Sequence, residues 1–185
     1  MNNLEGLHPT VKQAAEKLLE ECKRRNINVV ITEGYRSFER QAELYARGRT
    51  TPGNIVTNAR PGESYHNYGL AIDYALKDKN GKVYWNVDKD WLSVAEIGKS
   101  LGFSWGGDWK GFKDYPHLEM TFGLTIKDLL AGKRPKEEFK MKREDATQVA
   151  LLLGYIWQLQ LDQKSKDEIH RLANEVRKAG GLEPI

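Results

Sequence analysis

The spacing of apolar residues predicts a helix near the start of the chain, from about Pro9 to Arg25. Valine, alanine and leucine recur there every three or four positions, the period of a helix with one buried face. Thr10 and Gln13 resemble a capping box at its start. The β-branched run INVVIT (27–32) then has the length and composition of a strand. A helix followed by a buried strand therefore opens the fold.

Helices, loops and short strands alternate from there to about residue 130. Ser37 is placed to cap a helix over about 38–47, and Asp90 to cap one over 91–101. The polar segment 48–63, rich in glycine and proline, predicts a long loop, and such loops are often functional. The predicted strands are GLAIDYAL (69–76), VYW (83–85) after a turn at Asn80-Gly81, and HLEMTF (117–122). This mixture favours an α+β fold with a small, mainly antiparallel sheet flanked by helices.

The pattern divides the chain into a main domain (1–130), a short charged linker (131–143) and a helical region (144–185). The main domain is long enough to bury a core of its own. The helical region is not, because two helices alone make a poor core.

Two amphipathic helices are predicted in the helical region. One runs from Glu144 to about Gln160; the other opens with a capping box, Ser165 with Glu168, and closes at Gly180. We expect this hairpin to pack on the main domain, on itself or on a second copy. The residues predicted to share the apolar face of its first helix are Val149, Leu152, Leu153 and Ile156.

The composition is that of an ordinary soluble protein, with 185 residues of which 30% are charged and 39% hydrophobic. No apolar run is long enough to span a membrane, so membrane insertion is not expected. The N-terminus lacks the basic and apolar regions of a signal peptide, which predicts accumulation in the cytoplasm. Cys22 is the one cysteine, which excludes an internal disulfide. Its place on the apolar side of the first helix predicts a buried, inert thiol.

The net charge of +3 comes entirely from residues 1–135. This small excess favours an acidic polymer as a partner. Nucleic acid is not expected, because the sequence has no arginine-rich run and no recognisable nucleic-acid-binding motif.

The segment ESYHNYGLAIDY (63–74) brings a histidine and an aspartate close together in the sequence. Gly69 can supply the turn that directs the side chains of His66 and Asp73 to one point. Taken alone, a capping histidine and an aspartate at a strand end explain this pair better than a metal site does.

The segment KDYPHLEM (113–120) changes that balance, because it adds Asp114, His117 and Glu119. His117 and Glu119 point to the same face of a strand. Two histidines and one carboxylate are a standard ligand set for catalytic zinc, with the fourth position left to water. A further carboxylate near that water can act as general base.

Two other segments offer groups for substrate binding. Arg36 follows a predicted strand and can either hold a substrate carboxylate, stabilise an oxyanion, or form a surface ion pair. In WGGDW (105–109), Trp105 and Trp109 flank a flexible turn that suits either a binding wall or a loop packed on the core.

Four segments in this order, GYRSFERQAELY, SYHNYGLAIDY, GFSWGGDW and DYPHLEM, resemble the zinc D-alanyl-D-alanine carboxypeptidase and L-alanyl-D-glutamate peptidase family, and in particular its phage endolysin branch. The resemblance covers about residues 5–125. Its most specific element is S-x-H-x-x-G-x-A-x-D followed by D-x-x-H. The matching residues of that element are Ser64, His66, Gly69, Ala71, Asp73, Asp114 and His117.

The resemblance implies a fold of the Hedgehog and DD-peptidase type that binds one Zn²⁺ ion per chain. It implies that His66, Asp73 and His117 are the zinc ligands, that Asp114 is the general base, and that Arg36 faces the oxyanion or a substrate carboxylate. The residues expected to contact substrate are Tyr35, Gln41, Ser64, Trp105 and Trp109.

The implied substrate is bacterial peptidoglycan, cut between L-alanine and D-glutamate, with an anionic wall polymer as a further expected partner. Removal of a terminal D-alanine, a non-catalytic wall-binding protein on the same fold, and an interaction protein that acts through its helices are the alternatives. An endolysin of this kind is antimicrobial and reaches the wall through a phage holin pore. The alternative to such release is a cytoplasmic enzyme that trims recycled wall peptides. In an endolysin the helical region 144–185 would hold the enzyme on the wall, and packing on the catalytic domain or dimerisation is the alternative. A monomer is expected, with a dimer through the C-terminal helices as the alternative.

Overall fold

The computed structural model describes residues 3–136, 142–159 and 161–185. The chain divides into two compact units, Met1–Pro135 and Lys136–Ile185. Within the described ranges, no helix combines the length and the apolar character needed to cross a membrane.

Among the described residues, the first unit contains four helices, five strands and two short 3₁₀ turns, Tyr65–Tyr68 and Gly106–Asp108, and the second unit contains two helices. The helices are α1 (Pro9–Arg24), α2 (Phe38–Ala46), α3 (Lys89–Ser100), α4 (Ile126–Leu130), α5 (Arg143–Trp157) and α6 (Gln163–Ala179). The strands are β1 (Val29–Glu33), β2 (Ala71–Lys77), β3 (Val83–Tyr84), β4 (Ser104–Trp105) and β5 (His117–Glu119).

The sheet is antiparallel in the order β1-β2-β5-β4, and β3 pairs with β2. The predicted α+β fold with a small antiparallel sheet is therefore confirmed. Asp73 on the central strand pairs with Glu33 on one side and His117 on the other. Residues opposite one another in a sheet point to the same face. This register brings together acidic and imidazole groups that are far apart in the sequence.

Three predicted helix caps are wrong. Helix α1 is capped by His8, whose Nδ1 accepts a hydrogen bond from the Thr10 backbone, so Thr10 does not cap it. Helix α3 is capped by Asp88 in place of Asp90. Helix α6 is capped by Asp162, which accepts from the backbone N–H of Ser165. In the last two cases an aspartate two or three residues earlier already has the extended backbone that a cap requires.

The core of the first unit consists of apolar side chains from α1, α3 and β2, and the large ones of β2 lie on one of its faces. Tyr74 and Trp91 are fully buried with their tilted rings 4.8 Å apart between centroids, and the Tyr74 hydroxyl donates to the Trp91 carbonyl. Cys22 is also fully buried, and burial raises the pKa of its thiol to about 11. The prediction of an inert thiol agrees with this environment, because the reactive thiolate is disfavoured.

The second unit is a hairpin of α5 and α6. The side chains buried in it are small, namely Ala146, Ala150 and Ala173. Gly180 lies against Ala146 so closely that a Cβ at Gly180 would stand 2.1 Å from that of Ala146. The large apolar side chains left exposed among its described residues are Leu151, Leu152, Tyr155, Trp157, Leu159 and Ile185. The predicted helix end at Gln160 lies outside the described residues.

Candidate metal centre

Two turns bring the metal-ligand candidates together. His66 lies in the 3₁₀ turn just before β2, and Gly69 reverses the chain with a φ of +67°. A side chain at Gly69 would be strained, and its Cβ would meet the Gly6 carbonyl oxygen at 2.4 Å. Asp73 then lies on β2 opposite His117, the first residue of β5. Glycine at position 69 is therefore a structural requirement of the site.

The ligand atoms of these three residues converge on one point. The distance from His66 Nε2 to His117 Nδ1 is 3.2 Å, from His117 Nδ1 to Asp73 Oδ1 3.2 Å, and from His66 Nε2 to Asp73 Oδ1 3.3 Å. Ligands bound tetrahedrally at 2.0–2.1 Å, the usual length for zinc, stand about 3.3 Å apart. The triangle therefore has the size of one face of a zinc tetrahedron, and its fourth corner remains for water.

Hydrogen bonds on the outer nitrogens set the tautomers of both histidines. His66 Nδ1 lies 2.8 Å from the Gly34 carbonyl oxygen, and His117 Nε2 lies 2.9 Å from Glu119 Oε2. Both partners are acceptors, so each ring holds its proton on the outer nitrogen and directs its inner lone pair at the Asp73 carboxylate. Two lone pairs and an anion facing one another repel unless a cation lies between them. The donor set therefore fits a metal ion.

In the metal-free protein a proton supplies part of this positive charge. Burial disfavours the charged ring of His117, but hydrogen bonds to Asp73 and Glu119 outweigh burial and raise its pKa to about 9. Burial likewise opposes ionisation of Asp73, but the two histidines outweigh it and hold its pKa far below the ordinary value. The site thus favours an anionic carboxylate next to a cation.

Asp114 lies beside the ligand triangle without belonging to it. Its backbone N–H donates to the Gly106 carbonyl, and its carbonyl accepts from the His117 N–H. A Cβ at Gly106 would stand 2.4 Å from the Asp114 carbonyl oxygen, so this close approach requires glycine. Burial and then the charge of Asp73 raise the pKa of Asp114. A half-buried carboxylate with a raised pKa is suited to general-base catalysis.

Arg36 is buried beside Asp73 and is held by three acceptors. Its Nε donates to Glu33 at 2.8 Å, one terminal nitrogen donates to Gln41 at 2.9 Å, and the other lies 3.5 Å from Asp73 Oδ2. The backbone N–H of Arg36 also donates to the His66 carbonyl. The guanidinium is therefore fixed next to the free oxygen of a candidate ligand.

The chain was compared with known proteins. The profile of a family described as D-alanyl-D-alanine carboxypeptidase matches residues 57–120. Over 122 residues the chain is 61% identical to the peptidoglycan L-alanyl-D-glutamate endopeptidase CwlK of Bacillus subtilis (strain 168), covering 62% of this chain and 73% of that one. The chain belongs to the D-alanyl-D-alanine carboxypeptidase and L-alanyl-D-glutamate peptidase family. The predicted family and the predicted metallopeptidase class are confirmed.

Other relatives are more distant. The chain is 38% identical over 124 residues to the L-alanyl-D-glutamate peptidase of Listeria phage A118, covering 65% of this chain and 40% of that one. Among solved structures it is similar to the LdcB LD-carboxypeptidase, with 19% identity, a TM-score of 0.48, and coverage of 69% of this chain and 70% of that one. It is also similar to the vancomycin-resistance D,D-dipeptidase VanXYg, with 20% identity, a TM-score of 0.49, and coverage of 68% and 59%.

The span matched by the family profile contains the three candidate ligands and Asp114. Of the residues predicted to contact substrate, three have accessible side chains. Tyr35 and Trp109 are exposed, and the ring centroid of Trp109 is 5.3 Å from that of His117. Ser64 is partly exposed and precedes the turn that carries His66. Their contact with substrate remains a prediction.

The burial of Gln41 and Trp105 argues against direct contact with substrate. Gln41 is fully buried, where it accepts from Arg36 and donates to the Ala59 carbonyl. Trp105 belongs to the core and donates to the Tyr115 carbonyl at 2.7 Å. We therefore interpret both as supports, Gln41 for Arg36 and Trp105 for the turn between Asp114 and His117.

Several supporting groups were not assigned from the sequence. They are Glu33 and the Gly34 carbonyl, Asn67, which is buried and donates to the Arg36 carbonyl, and Trp91, which donates to the Tyr115 carbonyl. Glu119 was noted only for sharing a strand face with His117. Glu33 is only three residues from Arg36, but the contacts of Gly34, Asn67 and Trp91 join segments that are remote in the sequence and give no local signal.

Proposed function

We propose that this chain is a zinc-dependent endopeptidase that cleaves the bond between L-alanine and D-glutamate in the stem peptides of bacterial peptidoglycan. The observation that carries the proposal is the triangle of His66, Asp73 and His117 atoms, with Asp114 just outside it. The choice of bond is supported by the activities for which CwlK and the phage A118 peptidase are named.

Each residue has a defined role in this proposal. His66, Asp73 and His117 hold zinc, which when bound polarises the peptide carbonyl and lowers the pKa of the attacking water. Asp114 accepts the proton of that water and passes it to the amino group that leaves. Arg36, fixed by Glu33 and Gln41, offsets negative charge on the tetrahedral oxygen.

We further propose that the helical region 144–185 holds the enzyme on the wall. Its exposed Tyr155 and Trp157 offer flat apolar surfaces of the kind that stack on other rings. Binding of an anionic wall polymer by the chain, and release to the wall through a phage holin pore, belong to the same proposal, and the phage relative supports the second. The chain acts as a monomer in this view, and a dimer through the exposed face of α5 is the alternative.

The experiment that tests the proposal identifies the cleaved bond by mass spectrometry of the fragments released from purified peptidoglycan. The proposal predicts new D-glutamate N-termini, their loss after a strong chelator, and their return with added zinc. Asp114→Asn at the same concentration is the matched control and should leave the wall intact. Free D-alanine as the only product would indicate the carboxypeptidase alternative, and full activity in metal-free protein would contradict zinc dependence.

A further inference from the structure

We propose that Glu119 is a positioning residue that orients His117 for the metal and strengthens metal binding without being a ligand. This inference rests on the proposed metal centre. It concerns a residue outside the ligand triangle and outside the set assigned to catalysis. The juxtaposition that carries it is the 2.9 Å contact between Glu119 Oε2 and His117 Nε2, on the side of the ring opposite to the ligand atom Nδ1.

The backbone of Glu119 is fixed from both sides of the sheet. Within β5 it pairs with Ala71 of β2 and with Ser104 of β4. Its side chain lies two positions after His117 on the same strand face and is 11% exposed. A carboxylate held in this way has little freedom to swing toward the metal, and it restricts rotation of the imidazole to which it is bonded.

A buried carboxylate is costly unless a hydrogen bond or a charge compensates it. In the described part of the chain, the hydrogen bond recorded for the Glu119 carboxylate is the one to His117. The negative charge of Glu119 is also close enough to Tyr65 to contribute, after burial, to the raised pKa of that phenol. The Glu119 carboxylate therefore lies near the metal centre at a position where burying an apolar side chain would cost less free energy.

The three candidate ligands differ in their outer partners. His66 is bonded to the neutral carbonyl of Gly34, Asp73 Oδ2 faces the cationic Arg36, and His117 is bonded to the anionic Glu119. Hydrogen bonds to an ionised acceptor are about twice as strong as neutral ones. An imidazole that donates to a carboxylate is also a more basic ligand on its other nitrogen. His117 is thus the candidate histidine ligand whose outer partner is a side chain that can be replaced.

The test is a competition titration of metal-free protein with zinc and a chromophoric chelator, using wild type, Glu119→Gln and Glu119→Ala. Loss of an outer partner of this kind weakens metal binding by roughly 10- to 100-fold, and this is the expected effect of Glu119→Ala. Glu119→Gln keeps an oxygen acceptor and should lose less, and it also serves as the second variant if the alanine protein does not fold.

Asp128→Asn is the matched control for a general loss of stability. Asp128 is an acidic residue of the same unit that completes the capping box of α4 with Thr125 and pairs with Lys133, so its replacement should destabilise the fold and leave zinc affinity unchanged. Zinc affinity in Glu119→Ala within twofold of wild type, or a loss in Asp128→Asn equal to that in Glu119→Ala, would overturn the assignment. A wild-type protein that binds no zinc would overturn the proposed function as well, so the two failures are distinguishable.

Discussion

The two units differ in the side chains that they bury. In Met1–Pro135 the core contains large apolar side chains, among them Trp91, Tyr74 and Leu118, although others such as Phe112 are exposed. In the described part of Lys136–Ile185 the buried side chains are alanines, and several large ones of α5, such as Leu152, are exposed. The first unit thus has a core of large side chains, whereas the described part of the second buries only small ones and leaves an apolar face of α5 exposed.

Under the proposed function, this contrast assigns the chemistry and the attachment to different parts of the chain. A metal site needs ligands held within a few tenths of an ångström, which a packed sheet provides. A surface that binds something else needs exposed apolar area, which the hairpin provides. Among the described residues, the one cluster of potential metal ligands lies in the first unit.

The largest effect is expected on the free energy of unfolding, when leucine is replaced by alanine at one position in each unit. Leu118 is fully buried, so Leu118→Ala should lower the free energy of unfolding by about 2–5 kcal/mol, because it leaves a cavity. Leu152 is 58% exposed, so Leu152→Ala should change it by less than about 0.5 kcal/mol. Urea unfolding followed by circular dichroism compares the two. If Leu152→Ala lowered the free energy of unfolding by more than about 1 kcal/mol, the Leu152 side chain would have to be buried. The contrast between the two units would then be wrong.

An intermediate effect, on the clearing of intact walls, is expected when the chain is shortened to end at Pro135. Residues 1–135 should remain folded, bind zinc and cleave soluble stem peptides at the rate of the full chain. Clearing of intact walls should fall by roughly 10²-fold, the low end of what a second attachment point contributes. Turbidity of wall suspensions and cleavage of soluble peptide measure the two activities. Aggregation, or loss of activity on soluble peptide, would show that the helices belong to the core of the fold.

A third effect is a pH dependence of stability confined to the first unit. Without metal, the pKa of His117 rises from an unfolded value of about 6.5 to about 9 in the folded protein. A raised pKa stabilises the fold fully below the unfolded value, and this stability is lost as the pH rises through the folded value. The metal-free protein should therefore become less stable between about pH 6.5 and 9, whereas the zinc-loaded protein should not. The measurement is the unfolding midpoint at several pH values, with and without zinc. If the midpoint changed with pH in the same way in both forms, the prediction would be contradicted.

The sequence predicted the candidate ligands better than their surroundings. His66 and Asp73 are seven residues apart and His117 follows Asp114 by three, so short motifs carry most of the pattern. The burial of Gln41 and Trp105 was not predicted, because the sequence does not show which polar or aromatic side chains lie in the core. The two-residue strand β4 has too little pattern to be detected.

The hairpin shows a different limit. Helix α5 is apolar on most of its faces, so the spacing of its residues does not indicate which face is buried. Leu152 was predicted to share a face with Val149, Leu153 and Ile156, but the hairpin buries Ala146 and Ala150, and Leu152 is exposed. Small residues that permit close approach of the helices decided the packing, as the contact of Gly180 with Ala146 shows.

The central claim is that three residues hold zinc while Asp114, outside that set, moves the proton. Its most direct test measures zinc content and kcat/KM on a soluble stem peptide in the same preparation of Asp114→Asn, with His117→Ala for comparison. The account predicts one zinc ion per chain in Asp114→Asn together with a loss of activity on the order of 10² to 10⁴, the usual contribution of general-base catalysis, and a metal-free His117→Ala protein. An Asp114→Asn protein that has lost its zinc, or one that keeps full activity, would contradict it.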